Sequence, residues 1–186
     1  MKDKIKISIH ESSKIILSCE DLIEEIEKTI QIIIDSINTG NKIILFGNGG
    51  SAADAQHIAA EFVGRFNIER KSYPAISLTT DTSILTSLSN DYSFEIIFSR
   101  QCESIVSKGD VVIGISTSGN SENVLRGLIT SKEKGAKTIA LLGNNGGKIK
   151  NNVDISIIVK SASTPRIQEA HRTISHIICD MVEKKI

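Results

Sequence analysis

The sequence predicts a doubly wound α/β fold: a three-layer, five-stranded parallel sheet of order 2-1-3-4-5 with an added N-terminal helix. Three observations carry this expectation. Five short runs, "KIILF" (42–46), "AISLT" (75–79), "VVIGI" (111–115), "TIALL" (138–142) and "ISIIV" (155–159), are apolar on consecutive positions. That is the pattern of strands covered on both faces. Helical patterns near 51–66, 82–89, 94–107 and 121–134 separate them, and such alternation argues a parallel sheet with helices on both faces. Lastly, "GNKIILFGNGGS", "GDVVIGISTSGNS" and "GAKTIALLGNNGG" share a glycine lead-in and a polar exit, a recurring strand–helix unit.

The elements follow in order. In the N-terminal segment Ile16, Cys19, Ile23, Ile26, Ile30, Ile33 and Ile37 recur at spacings of three and four, the stripe of a packing seam. Leu22 and Ile34 widen it. The stripe covers the sheet or the C-terminal helix, and its extra width suits a subunit interface. The first strand runs into "GNGGS" (47–51) and a helix, the third into "STSGNS" (116–121) and another helix. The fourth ends in "GNNGG" with a short turn near 146–150, and after the fifth a last helix starts at about Pro165, where proline suits a first helical turn. With 186 residues and two prolines, the chain reads as one domain, 1–40 helical and 41–186 the α/β core.

Composition excludes several classes. Lys+Arg and Asp+Glu balance at 22 each, leaving no electrostatic footprint for nucleic acid or an anionic membrane. Cys19, Cys102 and Cys179 are odd in number and unpaired in spacing, which argues against disulfides or thiolate zinc and fits a reducing cytosol. Neither a signal peptide nor an apolar run of about 18 residues is expected, so the chain reads as cytoplasmic.

In open parallel sheets ligands bind beyond the C-terminal strand ends, where strand order reverses. With order 2-1-3-4-5 that point lies between the first and third strands, so "GNGGS" and "STSGNS" face one crevice. Glycines admit an anion to the backbone, and helix N-termini carry partial positive charge. Ser116, Thr117, Ser118 and Ser121 add hydroxyl donors, which suits a phosphomonoester on a small molecule. A plainer reading has Ser121 or Asn120 capping the next helix. Dinucleotide binding is the rival: Gly47, Gly49 and Ala52 match G-x-G-x-x-A. Asp81, however, lies about thirty residues on rather than about twenty. A phosphate loop at "GNNGGKI" lacks the required length and a hydroxyl after Lys148.

On the helix from Ser51, Asp54, His57, Glu61 and Arg65 fall on one face and Ala55, Ile58, Ala59, Phe62 and Phe66 on the other. A solvated face with a Glu61–Arg65 pair is one reading. Metal chelation by His57 and Glu61 is the other, and it needs further ligands. The C-terminal helix offers Gln168, Glu169, His171 and His176; spacing leaves the choice open, with Glu169 nearer than Gln168 to the His176 face.

Together, "GNGGSAADAQHIAAEFVGRF", "STSGNSENV" and "TPRIQEAHRTISH" resemble the phosphoheptose isomerase family within the sugar isomerase (SIS) fold. The resemblance implies a homotetramer with one zinc ion per subunit, acting on sedoheptulose 7-phosphate. It places substrate contacts at Asn48, Gly49, Gly50, Glu61, Arg65, Asn90, Asp91, Ser116, Thr117, Ser118, Ser121 and Gln168, with zinc on His57, Glu61, Gln168 and His176. It makes Glu61 the base and His176 the acid. A zinc-bound nitrogen cannot donate a proton, so either the metal loosens during turnover or it replaces His176 as electrophile. The alternative implied by relatives of this fold is a non-catalytic sugar-phosphate-binding or replication-initiator-associating partner protein.

Overall fold

Alternate residues of each strand feed two separate cores, which is why the strands are apolar at consecutive positions. The computed structural model describes residues 1–186. Five strands, β1 (Ile43–Gly47), β2 (Ala75–Ser77), β3 (Val111–Ser116), β4 (Lys137–Gly143) and β5 (Ile155–Val159), form one sheet of order β2-β1-β3-β4-β5. Every pairing is parallel, with Leu45 opposite Ile113 and Ile113 opposite Ile139. The expected order and layers are therefore observed.

Ile43, Leu45, Ile113, Ile139 and Leu141 point into a core shared with α2 (Ile23–Asn38), α3 (Gly50–Val63) and α7 (Thr164–Lys185). Ile44, Phe46, Val112, Ala140 and Leu142 point the other way. There they meet α5 (Ile97–Ile105) and α6 (Glu122–Glu133), with α4 (Thr82–Asp91) at the margin. β2 is shorter than the run 75–79 suggests: Leu78 still donates to Leu45 O at 2.9 Å, but Thr79 and Thr80 turn away into polar contacts. No helix is long and apolar enough to cross a membrane.

The N-terminal segment departs from the expected single helix. It forms α1 (Lys2–Leu17), a 3-10 turn at Ser18–Leu22, and then α2. At the break Ser18 Oγ donates to Ile15 O at 2.7 Å, and Cys19 Sγ lies 3.4 Å from the same oxygen. Such side chains compete with the helical backbone. The consequence is a divided stripe. Ile26, Ile30, Ile33 and Ile34 are buried, whereas α1 buries nothing and Ile23 stays 60% exposed. Ile16, Cys19 and Ile23 line a largely apolar groove of about 450 Å³ with Ile174, Ile177 and Met181 of α7.

Candidate active site

Helices α3 and α7 leave the C-terminal edge of the sheet and run side by side in the same direction. Their contacts form rungs. Gln168 lies against Gly50, so closely that a Cβ there would sit 3.0 Å from its Cδ. Arg172 Nε donates to Asp54 at 3.1 Å. One turn on, His57 Nε2 is 2.9 Å from His176 Nε2 and 3.4 Å from Glu61 Oε1. At the far end Glu183 accepts from the backbone of residues 66–68.

The donor atoms of His57, Glu61 and His176 all lie within 4.8 Å of one another. Ligands about 2.0–2.1 Å from a tetrahedral zinc ion stand roughly 3.4 Å apart, so separations of 2.9 and 3.4 Å fit such an ion with small ring movements. The three side chains are partly accessible, as a metal needs for entry. Phe66 supports the cluster, its ring centroid 5.5 Å from that of His176. Cys179 takes no such part: burial, reinforced by the charge of Glu61, pushes its thiol up to about 12, so it stays protonated and a poor ligand.

His171 faces away. It is fully buried, its Nε2 lies 2.9 Å from Leu142 O, and burial lowers its pKa, so it sits neutral in the core. Glu169 is engaged as well, accepting from Arg166 at 2.6 Å. Gln168 stands two turns before His176 on α7, about 12 Å by helical rise.

Two loops meet at the switch point, joined by a device that sequence reasoning missed. Asn48 Nδ2 donates to Asn123 Oδ1 at 2.8 Å, and Asn123 Nδ2 donates back to Asn48 Oδ1 at 3.0 Å. This reciprocal amide pair ties the β1 loop to the first turn of α6, with Asn123 only 3% exposed. An asparagine just inside a helix carries no sequence signal of a partner 75 residues away.

The hydroxyl loop is not a capping device. Ser121 occupies the N-cap position of α6, yet its side chain makes no cap bond. Its Oγ lies 3.0 Å from Ser116 Oγ, which is 3.5 Å from Ser118 Oγ. Asn120, the other capping candidate, accepts from Lys148 N at 3.1 Å. Thr117, partly buried, gives its carbonyl to Asn144 Nδ2 at 3.0 Å. The loop after β4 thus braces the hydroxyl loop from behind.

Three predicted residues lie outside the two loops and the His57–Glu61–His176 cluster. Asn90 and Asp91 are exposed at the C-terminal end of α4, where the Asn90 amide donates to Asp91 at 2.8 Å. Arg65 lies beyond α3, which ends at Val63 rather than near residue 66. It pairs with Glu69 at 3.5 Å instead of Glu61. Helix termination at Gly64 takes Arg65 off the face that i,i+4 spacing assigns it. Asp81, the rival's ribose acid, caps α4 by accepting from Ile84 N at 2.9 Å.

Comparison with known proteins agrees with this architecture. The SIS domain family model matches residues 9–143. The phosphoheptose isomerase of Geobacter sulfurreducens is 51% identical, covering 100% of this chain and 99% of its own. That of Aquifex aeolicus is 54% identical, with 100% and 98% covered. The solved structure of the phosphoheptose isomerase from Neisseria gonorrhoeae superposes with a TM-score of 0.94 at 38% identity, covering 98% of each chain. With its chain-long likeness to these proteins and its SIS topology, this chain belongs to the phosphoheptose isomerase family.

Proposed function

We propose that this chain is a cytoplasmic phosphoheptose isomerase. It converts D-sedoheptulose 7-phosphate to D-glycero-D-manno-heptose 7-phosphate through an enediol, the first step towards activated heptose for bacterial surface polysaccharide, lipopolysaccharide or capsule. The observation that carries this reading is the convergence of His57, Glu61 and His176 from α3 and α7, in a chain 51% identical over its length to a named phosphoheptose isomerase. A non-catalytic SIS partner protein has no need of such a cluster.

In this reading the hydroxyls of Ser116, Thr117, Ser118 and Ser121 hold the phosphate, and Asn48, Gly49 and Gly50 line the sugar side of the crevice. Arg65, Asn90 and Asp91 complete the polar contacts. Glu61 accepts the proton from C1 and returns it to C2, while the C2 carbonyl oxygen gains a proton and the C1 hydroxyl gives one up, both by way of His176 in a state where its nitrogen is free of metal. His57, Glu61 and His176 are the residues that would hold one zinc ion per subunit. Gln168, about 12 Å away along α7 and packed against Gly50, stands at the sugar side of the crevice instead of joining them. When bound, the ion supplies Lewis-acid polarisation of the carbonyl.

NMR of sedoheptulose 7-phosphate with the protein tests the activity directly. Conversion that falls on chelation and returns with zinc is the expected result. Full activity after chelation rejects the zinc assignment, and no conversion with zinc present rejects the isomerase.

We further propose that residues 1–186 form one SIS domain and assemble as a homotetramer, with a second copy covering the groove between α1, α2 and α7. Its support is the exposed Ile23 and Ile177, 60% and 43% accessible on either side of that groove. Light scattering at micromolar concentration is expected to give four times the 20.2 kDa chain mass; a monomer overturns it.

A further inference from the structure

The far ends of α3 and α7 are joined by a charged pair that the proton transfers do not use. Glu183 and Arg70 are almost buried, with 1% and 10% of their side chains exposed. The Glu183 carboxylate accepts N–H groups from Phe66 at 2.9 Å, Asn67 at 2.6 Å and Ile68 at 2.8 Å, and Arg70 Nε at 3.0 Å. Arg70 in turn donates to the carbonyls of Glu61 at 2.9 Å, Phe62 at 3.0 Å and Lys71 at 2.9 Å. Its guanidinium carbon stands 3.9 Å above the Tyr73 ring.

Two of these contacts lead straight into the cluster. The last carbonyls of a helix lack an intrahelical donor, and a cation there is favourable. One of the carbonyls Arg70 holds belongs to Glu61, whose side chain lies in the cluster. The N–H that Glu183 fixes first is that of Phe66, whose ring rests on His176. Stability alone explains the pair poorly, because a buried ion pair contributes little net stability over apolar packing. A fork that fixes several atoms at once is suited to setting geometry.

We propose that Arg70 and Glu183 form a positioning clamp for the His57–Glu61–His176 cluster, fixing the offset of α3 against α7 and thereby the spacing of its donor atoms. Neither residue touches substrate. The proposal rests on the metal-assisted isomerase reading of that site, and its test separates the two.

The full chain carrying Glu183→Gln or Arg70→Lys is compared with wild type by circular dichroism, by zinc affinity against a chromophoric chelator, and by the visible absorption of the cobalt(II)-loaded protein. Turnover of sedoheptulose 7-phosphate is measured alongside. Expected are unchanged secondary structure, zinc affinity weaker by about tenfold, an altered cobalt spectrum, and kcat lower by roughly 10- to 100-fold with KM little changed. Arg70→Lys keeps the charge and loses the fork, so it carries the test if Glu183→Gln does not fold. Variants that melt earlier yet keep zinc affinity, cobalt spectrum and kcat overturn the clamp and leave a stability pair. A wild-type protein that binds zinc without turnover rejects the isomerase reading, and the clamp is then decided by affinity and spectrum.

Discussion

Replacing Glu61 with Gln is expected to lower kcat for sedoheptulose 7-phosphate by about 10²- to 10⁴-fold, the usual contribution of a positioned general base. The exchange keeps the shape of the side chain and removes its basicity. Because Glu61 is 22% exposed and its carboxylate pairs with His57 alone, the cost to folding is expected to stay within about 1 kcal/mol. Glu61 is also a proposed metal ligand, so zinc content must be measured on the same sample. Exchange of the substrate C1 proton in deuterium oxide reads the base directly and should vanish with turnover. Near-normal kcat in this variant removes Glu61 from the role of base.

Gly119→Ala is expected to raise KM and lower stability together, through the hydroxyl loop. Gly119 has φ +67°, a conformation that costs an L-residue about 1–2 kcal/mol. Steric overlap costs more. A Cβ there would overlap the Gly146 carbonyl and stand 2.8 Å from Gly147 N. These neighbours are backbone, so no rotamer change relieves the clash. The loops must part, and the bonds from Ile149 N to Gly119 O (3.0 Å) and from Lys148 N to Asn120 Oδ1 (3.1 Å) are lost with them. KM is expected to rise at least about tenfold, with a thermal midpoint several degrees lower. Gly40→Ala is the control: its φ is +80°, but nothing stands within 4 Å of the added carbon. That variant should lose a little stability and keep its KM. An unchanged KM in Gly119→Ala would show that the loop brace has no bearing on substrate.

The sheet is legible in the sequence because its strands are covered on both faces, and such coverage writes itself as consecutive apolar residues. The order follows from the connections and the commonest topology. Helix ends are less legible. Val63 is followed by Gly64, which stops α3, while the apolar and charged spacing runs on to Phe66; spacing therefore assigns Arg65 to a face it does not share. The break at Ser18–Leu22 is hidden in the same way, since the isoleucine spacing continues across residues whose side chains bond the backbone.

Within the candidate site, spacing finds His57 and Glu61 because both sit on one helix. It does not choose among Gln168, Glu169, His171 and His176, since the choice depends on how α7 is rotated against α3. The structure turns His171 into the core and His176 towards His57. Asn123, Arg70 and Glu183 are invisible for a related reason: Asn48 stands 75 residues from Asn123, Arg70 stands 113 residues from Glu183, and their remaining hydrogen bonds run to backbone groups. Pairings of that kind leave no periodic trace.

The span of 119 residues between His57 and His176 also has a consequence for biosynthesis. Domains are made from the N-terminus onward and fold as units, so α3 and both loops leave the ribosome well before α7. Because α7 also supplies Ile167, Ala170, Ile174, Ile178 and Val182 to the core, the crevice and the second imidazole arrive together, when this last helix docks. A chain cut short within α7 is therefore expected to show no turnover of sedoheptulose 7-phosphate, rather than an altered or unselective one.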